Sequence, residues 1–240
     1  MMLLATDLDG TFLGGSPEDR AYLYSWLQQH TEISLAFVTG RGLATVQPLL
    51  DDPQIPMPDY IICDVGATVV HGHTLEPVMP LQEAIEQKWP GQELVRARME
   101  QVAGLRLQEV PMQRRCSFFY DATAAIDVAT RIAEELGCDV LQSAGKFLDV
   151  LPGGVNKGST LVQLVRHIGY PAAQVLVAGD TMNDRSLYDT GFKGVVVGHA
   201  EPALLQYTRD YAHVLQSAVP GAGGIMEGID WFAGKKQKRS

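Results

Sequence analysis

Short apolar runs that end abruptly in polar residues recur along this chain. Residues 2–5, 33–38, 60–63, 174–178 and 194–197 are each four to six residues long, too short for helices and too uniformly apolar for exposed strands. Such runs mark strands buried on both faces of a parallel sheet. Between them lie amphipathic stretches. Ser16-Pro17-Glu18-Asp19 reads as a helix start, with Ser16 as cap, Pro17 at the first position and two acids at the positive end. Tyr22, Leu23, Trp26 and Leu27 then form the stripe expected to pack on the sheet. A helix follows from about Leu43, limited or kinked by Pro48. Residues 68–70 and 74–76 suggest a hairpin around Gly72, with His71 and His73 flanking the turn as exposed residues rather than metal ligands.

The texture changes near Pro80. Residues 81–103 read as helix interrupted at Pro90-Gly91, 105–107 and 116–120 as strands, and 124–136 as a helix capped by Thr123. Two more strands follow at 138–141 and 147–151, around the turn Ser143-Ala144-Gly145-Lys146. This order suits a small antiparallel sheet with helices on one face. The alternating pattern resumes after Pro152-Gly153-Gly154. Asn156-Lys157-Gly158 opens a helix with Leu161, Leu164, Val165 and Ile168 on one face. A helix from Pro202, a weak last strand at 212–214 and a helix over 223–232 complete the pattern. The fold class predicted is α/β: a Rossmann-like parallel-sheet core, residues 1–79 and 153–234, interrupted by an α+β module, 80–152, and followed by a basic, solvated tail, 235–240.

The 240 residues allow a sizeable core, and 19 basic against 28 acidic residues give a net charge of −9, which disfavours nucleic acid as a partner. Cys63, Cys116 and Cys138 form no CxxC pair and read as buried free thiols in a reducing compartment. The first residues lack the basic start of a signal peptide and no stretch is long and apolar enough for a membrane span, so the expected location is cytoplasmic.

The chemistry gathers at the strand ends. In an extended strand, residues i and i+2 face the same way, so Asp7 and Asp9 are expected to project together. Two carboxylates crowded at a strand tip call for a cation, and Mg²⁺ takes such oxygen ligands. Thr39, Lys157, Asp180 and Asp184 lie at other ends that a parallel sheet brings together. A carboxylate nucleophile, a second carboxylate as acid and base, and donors for a phosphoryl group are then all present.

The set resembles the haloacid dehalogenase superfamily of phosphatases. Its four motifs are Asp7-Leu8-Asp9-Gly10-Thr11, Phe37-Val38-Thr39-Gly40-Arg41, Asn156-Lys157-Gly158 and Gly179-Asp180-Thr181-Met182-Asn183-Asp184. The insertion between the second and third is similar to the large cap of the Cof-type subclass. The resemblance implies that Asp7 attacks phosphorus and that Asp9 protonates the leaving oxygen and then activates water. It implies that Thr39 and Lys157 hold the phosphoryl group, supported by Gly40 and Arg41. Mg²⁺ would be bound by Asp7, the Asp9 carbonyl and Asp180, with Asn183 and Asp184 in support. More narrowly, residues 143–152 resemble the return from cap to core in sucrose-phosphate and mannosylfructose-phosphate phosphatases, as do 58–62, Val65-Gly66, 194–198 and 224–228. That group implies a phosphorylated disaccharide, sucrose 6-phosphate first and mannosylfructose phosphate or another osmolyte phosphate second. It also implies Lys146 and Arg115 as cap residues meeting the sugar, and a glycosyltransferase as supplier of the substrate. A sugar phosphomutase and a non-catalytic sugar-phosphate-binding module are the alternatives.

Overall fold

The computed structural model describes residues 2–109 and 114–234; the basic tail at 235–240 lies outside the described residues. Strands β1 (Met2–Thr6), β2 (Ile33–Val38), β3 (Tyr60–Cys63), β4 (Thr68–His71), β9 (Val175–Gly179), β10 (Lys193–Gly198) and β11 (Val214–Pro220) form one sheet in the order β11-β10-β9-β1-β2-β3-β4. All neighbours are parallel except β3 and β4. The chain runs outward from β1 through β2 and β3, then returns to β9 on the other side of β1. The order therefore reverses between β1 and β9, and such a reversal opens a crevice at the carboxyl ends of the strands.

Alternation sorts the strand residues into two layers. Leu3, Ala5, Ala36, Val38, Val175 and Val177 pack against helix α6 (Lys157–His167) through Leu161, Leu164 and Val165. Met2, Leu4, Leu35, Phe37 and Leu176 face the other way, against α1 (Pro17–Gln29) and α9 (Gly221–Phe232). Both faces are apolar because both are covered.

Between β4 and α6 the chain builds a second, antiparallel sheet. Its strands are β5 (Leu105–Leu107), β6 (Cys116–Tyr120), β7 (Cys138–Ser143) and β8 (Phe147–Pro152), in the order β5-β6-β8-β7. Phe118, Leu148 and Val150 pack against α4 (Gln92–Met99) through Val95 and Met99, and against α5 (Ile126–Glu135) through Ala129 and Ala133. Helix α3 (Leu81–Glu86) joins the first sheet instead: Ile85 sits in that core, and the Gln82 amide accepts from Val69 N–H and donates to Ala67 C=O. The three cysteines are buried free thiols. Among the described residues no helix is long and apolar enough to cross a membrane.

Four local expectations shift. The buried stripe of α1 is Leu23, Tyr24 and Leu27, while Tyr22 is 62% exposed. Tyr24 turns inward because its ring stacks on Phe12 at 4.8 Å and its hydroxyl donates to the Phe12 carbonyl. The hairpin partner of β4 is β3, joined through a tight turn over Asp64–Gly66, so 74–76 is not a strand. It returns to β4 through His71 N–H on Glu76 C=O and one bridge at Pro77, whose missing N–H limits further pairing. Thr123 does not cap α5; its hydroxyl and N–H both donate to Asp121. The last strand begins at Val214, where the expected one ended.

Leu161 is fully buried, and Leu161→Ala is expected to lower unfolding free energy by about 2–5 kcal/mol. Tyr22→Ala should stay within about 0.5 kcal/mol of the parent chain. Urea titration of both variants, at unchanged denaturant slope, checks the pair.

Candidate active site

The site lies where β1 meets β9. After Thr6 the chain leaves the strand, and Gly10, at φ 81°, turns it through a wide bend over Leu8–Phe12. A Cβ on Gly10 would fall 2.2 Å from the Asp180 carboxylate, so only glycine lets β1 come this close to the β9 turn. Thr11 tightens the same contact by donating its hydroxyl to Asp180 Oδ1 at 2.9 Å.

Lys157 stands at the centre and is fully buried. It is the first residue of α6, held there by Asn156, whose side chain caps the helix at Ser159 N–H. Its ammonium donates to Asp7 Oδ1 at 2.7 Å, Asp184 Oδ1 at 2.6 Å and Asn183 Oδ1 at 2.9 Å. Burial works against this ammonium, yet Asp184 and Asp7 outweigh it and hold its pKa above the ordinary lysine range. Burial likewise pushes the Asp7 carboxyl up; Lys157 opposes the shift, and Asp184 and Asp180 add to it. Asp180 is pushed up to about 6, by burial first and then by the charge of Asp184.

Asp7, Asp180 and Asp184 offer carboxylate oxygens within 4.8 Å of one another. Three acids so close, with the Asp7 and Asp180 carboxyls pushed up, fit a divalent cation, which would relieve both their repulsion and their desolvation. The hydrogen bonds divide their roles. Asp184 spends Oδ1 on Lys157 and Oδ2 on the N–H groups of Asp180 and Thr181. Asp7 and Asp180 each engage Oδ1, with Lys157 and Thr11. Among the described residues, Asp7 and Asp180 therefore each have one carboxylate oxygen outside these hydrogen bonds, and Asp184 orients the turn beneath them.

Asp7 and Asp9 do not project as a matched pair. Asp7 is 5% exposed, whereas the Asp9 side chain is 62% exposed and takes a two-pronged contact from Arg41, Nε at 2.8 Å and Nη2 at 2.5 Å. The bend after Thr6 breaks the two-residue alternation and sends Asp9 to the rim. Both still line one cavity of about 430 Å³, together with Gly40, Arg41, Asn183 and, from the second sheet, Arg115. Thr39 is fully buried, its hydroxyl accepting from Arg41 N–H, so it shapes the loop at residues 39–41 from below. Val65, on the facing turn, sits at φ 58°, a conformation that costs a β-branched residue about 1–3 kcal/mol.

The second sheet roofs the cavity with Gln108, Ser117, Ser143, Phe147 and Asp149. Lys146 is exposed on the adjoining turn and is not among the lining residues; its ammonium lies 4.9 Å from the Phe147 ring centroid, and Phe147 is what faces inward. Asp64 and Asp149 were not singled out from the sequence. Each had a signal, an acid directly after or inside an otherwise apolar strand, Tyr60-Ile61-Ile62-Cys63-Asp64 and Phe147-Leu148-Asp149-Val150. Gln108 and Ser143 carry no such signal.

Comparison with known proteins agrees with this geometry. Residues 1–233 match the family model described as sucrose-6F-phosphate phosphohydrolase. Over 232 residues, 96% of this chain, it is 53% identical to a glucosylglycerol-phosphate synthase of Pseudomonas anguilliseptica, of whose length it spans 31%. It is 29% identical to a mannosylfructose-phosphate phosphatase of Agrobacterium fabrum, covering 95% of this chain and 96% of that one. The sucrose-phosphatase of Synechocystis, solved in complex with sucrose and phosphate, superposes with a TM-score of 0.85 at 27% identity, over 97% of this chain and 98% of that one. With the DxDGT strand tip, the buried lysine and the paired acids after β9 in place, the chain belongs to the sucrose-6F-phosphate phosphohydrolase family of phosphoric monoester hydrolases, within the haloacid dehalogenase superfamily.

Proposed function

We propose that this chain hydrolyses the phosphate ester of a small glycosyl conjugate, with glucosylglycerol phosphate as its first candidate substrate and Mg²⁺ as its cation. The chemistry rests on one observation: Asp7, alone among the acids of the site, is both buried against Lys157 and open to the cavity. Asp7 attacks phosphorus in line, the bond from phosphorus to the ester oxygen breaks, and Asp9 gives that oxygen a proton. Asp9 then takes a proton from water, which attacks the aspartyl phosphate and releases inorganic phosphate, restoring Asp7. An entering phosphoryl group competes with Asp9 for Arg41, which frees the Asp9 carboxylate at the rim. A bound Mg²⁺ supplies charge neutralisation at the phosphoryl oxygens. Its residues would be Asp7, Asp180 and the backbone of Asp9.

The choice of substrate is carried by the 53% identity to a protein named for synthesis of glucosylglycerol phosphate, of which a region of this kind is one part. That relationship also supports a glycosyl transfer as the source of the substrate. Sucrose 6-phosphate is the second reading, on the family model and on the Synechocystis enzyme. Phe147, Gln108 and Ser143 offer an apolar ring and polar groups to a sugar. Cytoplasmic location remains part of the same proposal.

A phosphate-release panel with glucosylglycerol phosphate, sucrose 6-phosphate and mannosylfructose phosphate tests the reading. Glucosylglycerol phosphate is expected to give the highest kcat/KM. Asp7→Asn should lower release by more than about 10³-fold, and Asp9→Asn by about 10²–10⁴-fold. Isomerised sugar phosphate without free phosphate would instead identify a mutase.

A second expectation concerns pH and metal. Asp180, raised to about 6, binds its proton more tightly in the folded than in the unfolded chain. Its contribution to stability is present below about pH 4 and lost as pH rises through about 6. Metal-free protein should therefore lose thermal stability over that range. Mg²⁺ should raise the melting temperature more at about pH 8 than at about pH 5, because it competes with the proton. In Asp180→Asn the Mg²⁺ effect should largely vanish, while the pH dependence shrinks to the part that the raised Asp7 carboxyl carries; a Mg²⁺ shift of parental size in that variant would remove Asp180 from the metal site.

A further inference from the structure

Residues 39–41 form the loop between β2 and the helix that follows, and all three of its carbonyls are taken. Thr39 C=O accepts from Val65 N–H at 3.1 Å and Arg41 C=O from Asp64 N–H at 2.9 Å. The middle one, Gly40 C=O, accepts from Arg115 Nη1 at 2.6 Å. Two of the three donors are backbone groups of the first sheet's own turn. The third is a side chain from the segment leading into β6 of the second sheet.

Arg115 is 7% exposed and sits between two buried acids. Asp64 Oδ1 lies 3.6 Å from Nη2, and Asp149 Oδ1 lies 3.6 Å from Nη1. Asp149 is fixed by a short hydrogen bond from Ser117, and Asp64 by Thr68 at 2.9 Å. Among the described residues, Arg115 Nε and Asp64 Oδ1 are buried without hydrogen-bond partners. The guanidinium is thus held, among the described residues, between the two sheets by charge at a distance and by one short hydrogen bond, to Gly40. A fully satisfied ion pair would tie the two sheets more tightly than these 3.6 Å separations do.

We propose that Arg115 is a positioning residue that couples docking of the second sheet to the geometry of the 39–41 loop. When the second sheet is docked, Arg115 completes the loop's hydrogen bonding. Arg41, one residue further on, then stands where its fork reaches Asp9. When the sheet lifts, Gly40 C=O loses its donor and the Arg41–Asp9 pair loses its support. Seating of the second sheet over a substrate is in this way read by Asp9 without Arg115 touching it. Arg115 accordingly serves the loop rather than the sugar. The kinetic part of this inference rests on the phosphatase reading; the structural coupling does not.

The test combines two measurements on Arg115→Ala, Arg115→Lys and Asp64→Asn. The first is amide hydrogen exchange at Arg41, Asp64 and Val65 without substrate. Exchange is expected to accelerate at least about tenfold in Arg115→Ala, and less in the other two. Unchanged exchange in all three variants overturns the proposal. The second is steady-state kinetics on a glycosyl phosphate and on a small aryl phosphate. In Arg115→Ala, kcat should fall about tenfold or more on both while each KM moves less than about threefold, with partial recovery in Arg115→Lys. A loss confined to KM for the glycosyl phosphate overturns the proposal and makes Arg115 a sugar contact. If the parent chain hydrolyses neither ester, the phosphatase reading falls and the exchange measurement alone decides the coupling. Asp64→Asn keeps the side-chain volume and serves where Arg115→Ala does not fold.

Discussion

Everything in the site hangs on one buried ammonium. Lys157 has three N–H groups and meets three oxygens, from Asp7, Asn183 and Asp184, with none left to solvent. Those partners come from the tip of β1 and the turn after β9, and the lysine from the start of α6, so a single group fixes three segments, itself 150 residues from Asp7 and 27 from Asp184. The chain of constraint continues outward. Asp184 holds the N–H groups of Asp180 and Thr181, and Asp180 takes the Thr11 hydroxyl beyond the Gly10 bend. Removing one partner from such a buried arrangement leaves a stranded charge, at a cost of about 3–5 kcal/mol. The fold tolerates this concentration of charge because the reversal between β1 and β9 leaves a crevice beyond the carboxyl ends of the two paired strands, outside the apolar core.

Much of this was legible in the residues. A strand ending in Asp-x-Asp-Gly-Thr, a helix opening on Asn-Lys-Gly and a strand ending in Gly-Asp-x-x-Asn-Asp have few joint uses, and their order along the chain matches a parallel sheet. What the sequence hid was relative depth. Strand periodicity placed Asp7 and Asp9 side by side, but the bend begins at Leu8, and one acid sinks to Lys157 while the other rises to Arg41. The same limit explains Tyr22: helical spacing marked it for the buried stripe, and a stacking partner in another segment, Phe12, turned Tyr24 inward instead. The contact of Arg115 with Gly40, across 75 residues, has no local signature at all. It depends on how a second sheet sits over the first.

That dependence gives the two sheets distinct duties. The parallel sheet brings the reacting groups together through contacts that are satisfied and buried, as at Lys157. The antiparallel sheet contributes side chains from above, among them Arg115, whose bond to Gly40 is complete and whose approaches to Asp64 and Asp149 stop at 3.6 Å. A rigid centre under a releasable roof suits a reaction that must exclude water around phosphorus and still admit water once the alcohol has left.

The charges of the site make a stronger demand. The carboxylates of Asp7, Asp9, Asp64, Asp149, Asp180 and Asp184 surround three cations, Lys157, Arg41 and Arg115, and each cation is already engaged: Lys157 with Asp7 and Asp184, Arg41 with Asp9, Arg115 with Asp64 and Asp149. A phosphoryl dianion entering this cavity meets an excess of negative charge, in a protein of net charge −9. The arginines and the lysine cannot both hold the acids and neutralise the ester. Either the acids take protons, which the raised Asp7 and Asp180 carboxyls favour but which would blunt Asp7 as a nucleophile, or a divalent cation supplies the missing charge and keeps Asp7 ionised. Only the second choice leaves Asp7 ionised for the attack proposed for it, so the electrostatics of this chain's own residues, apart from any likeness to relatives, favour the proposed metal at Asp7 and Asp180.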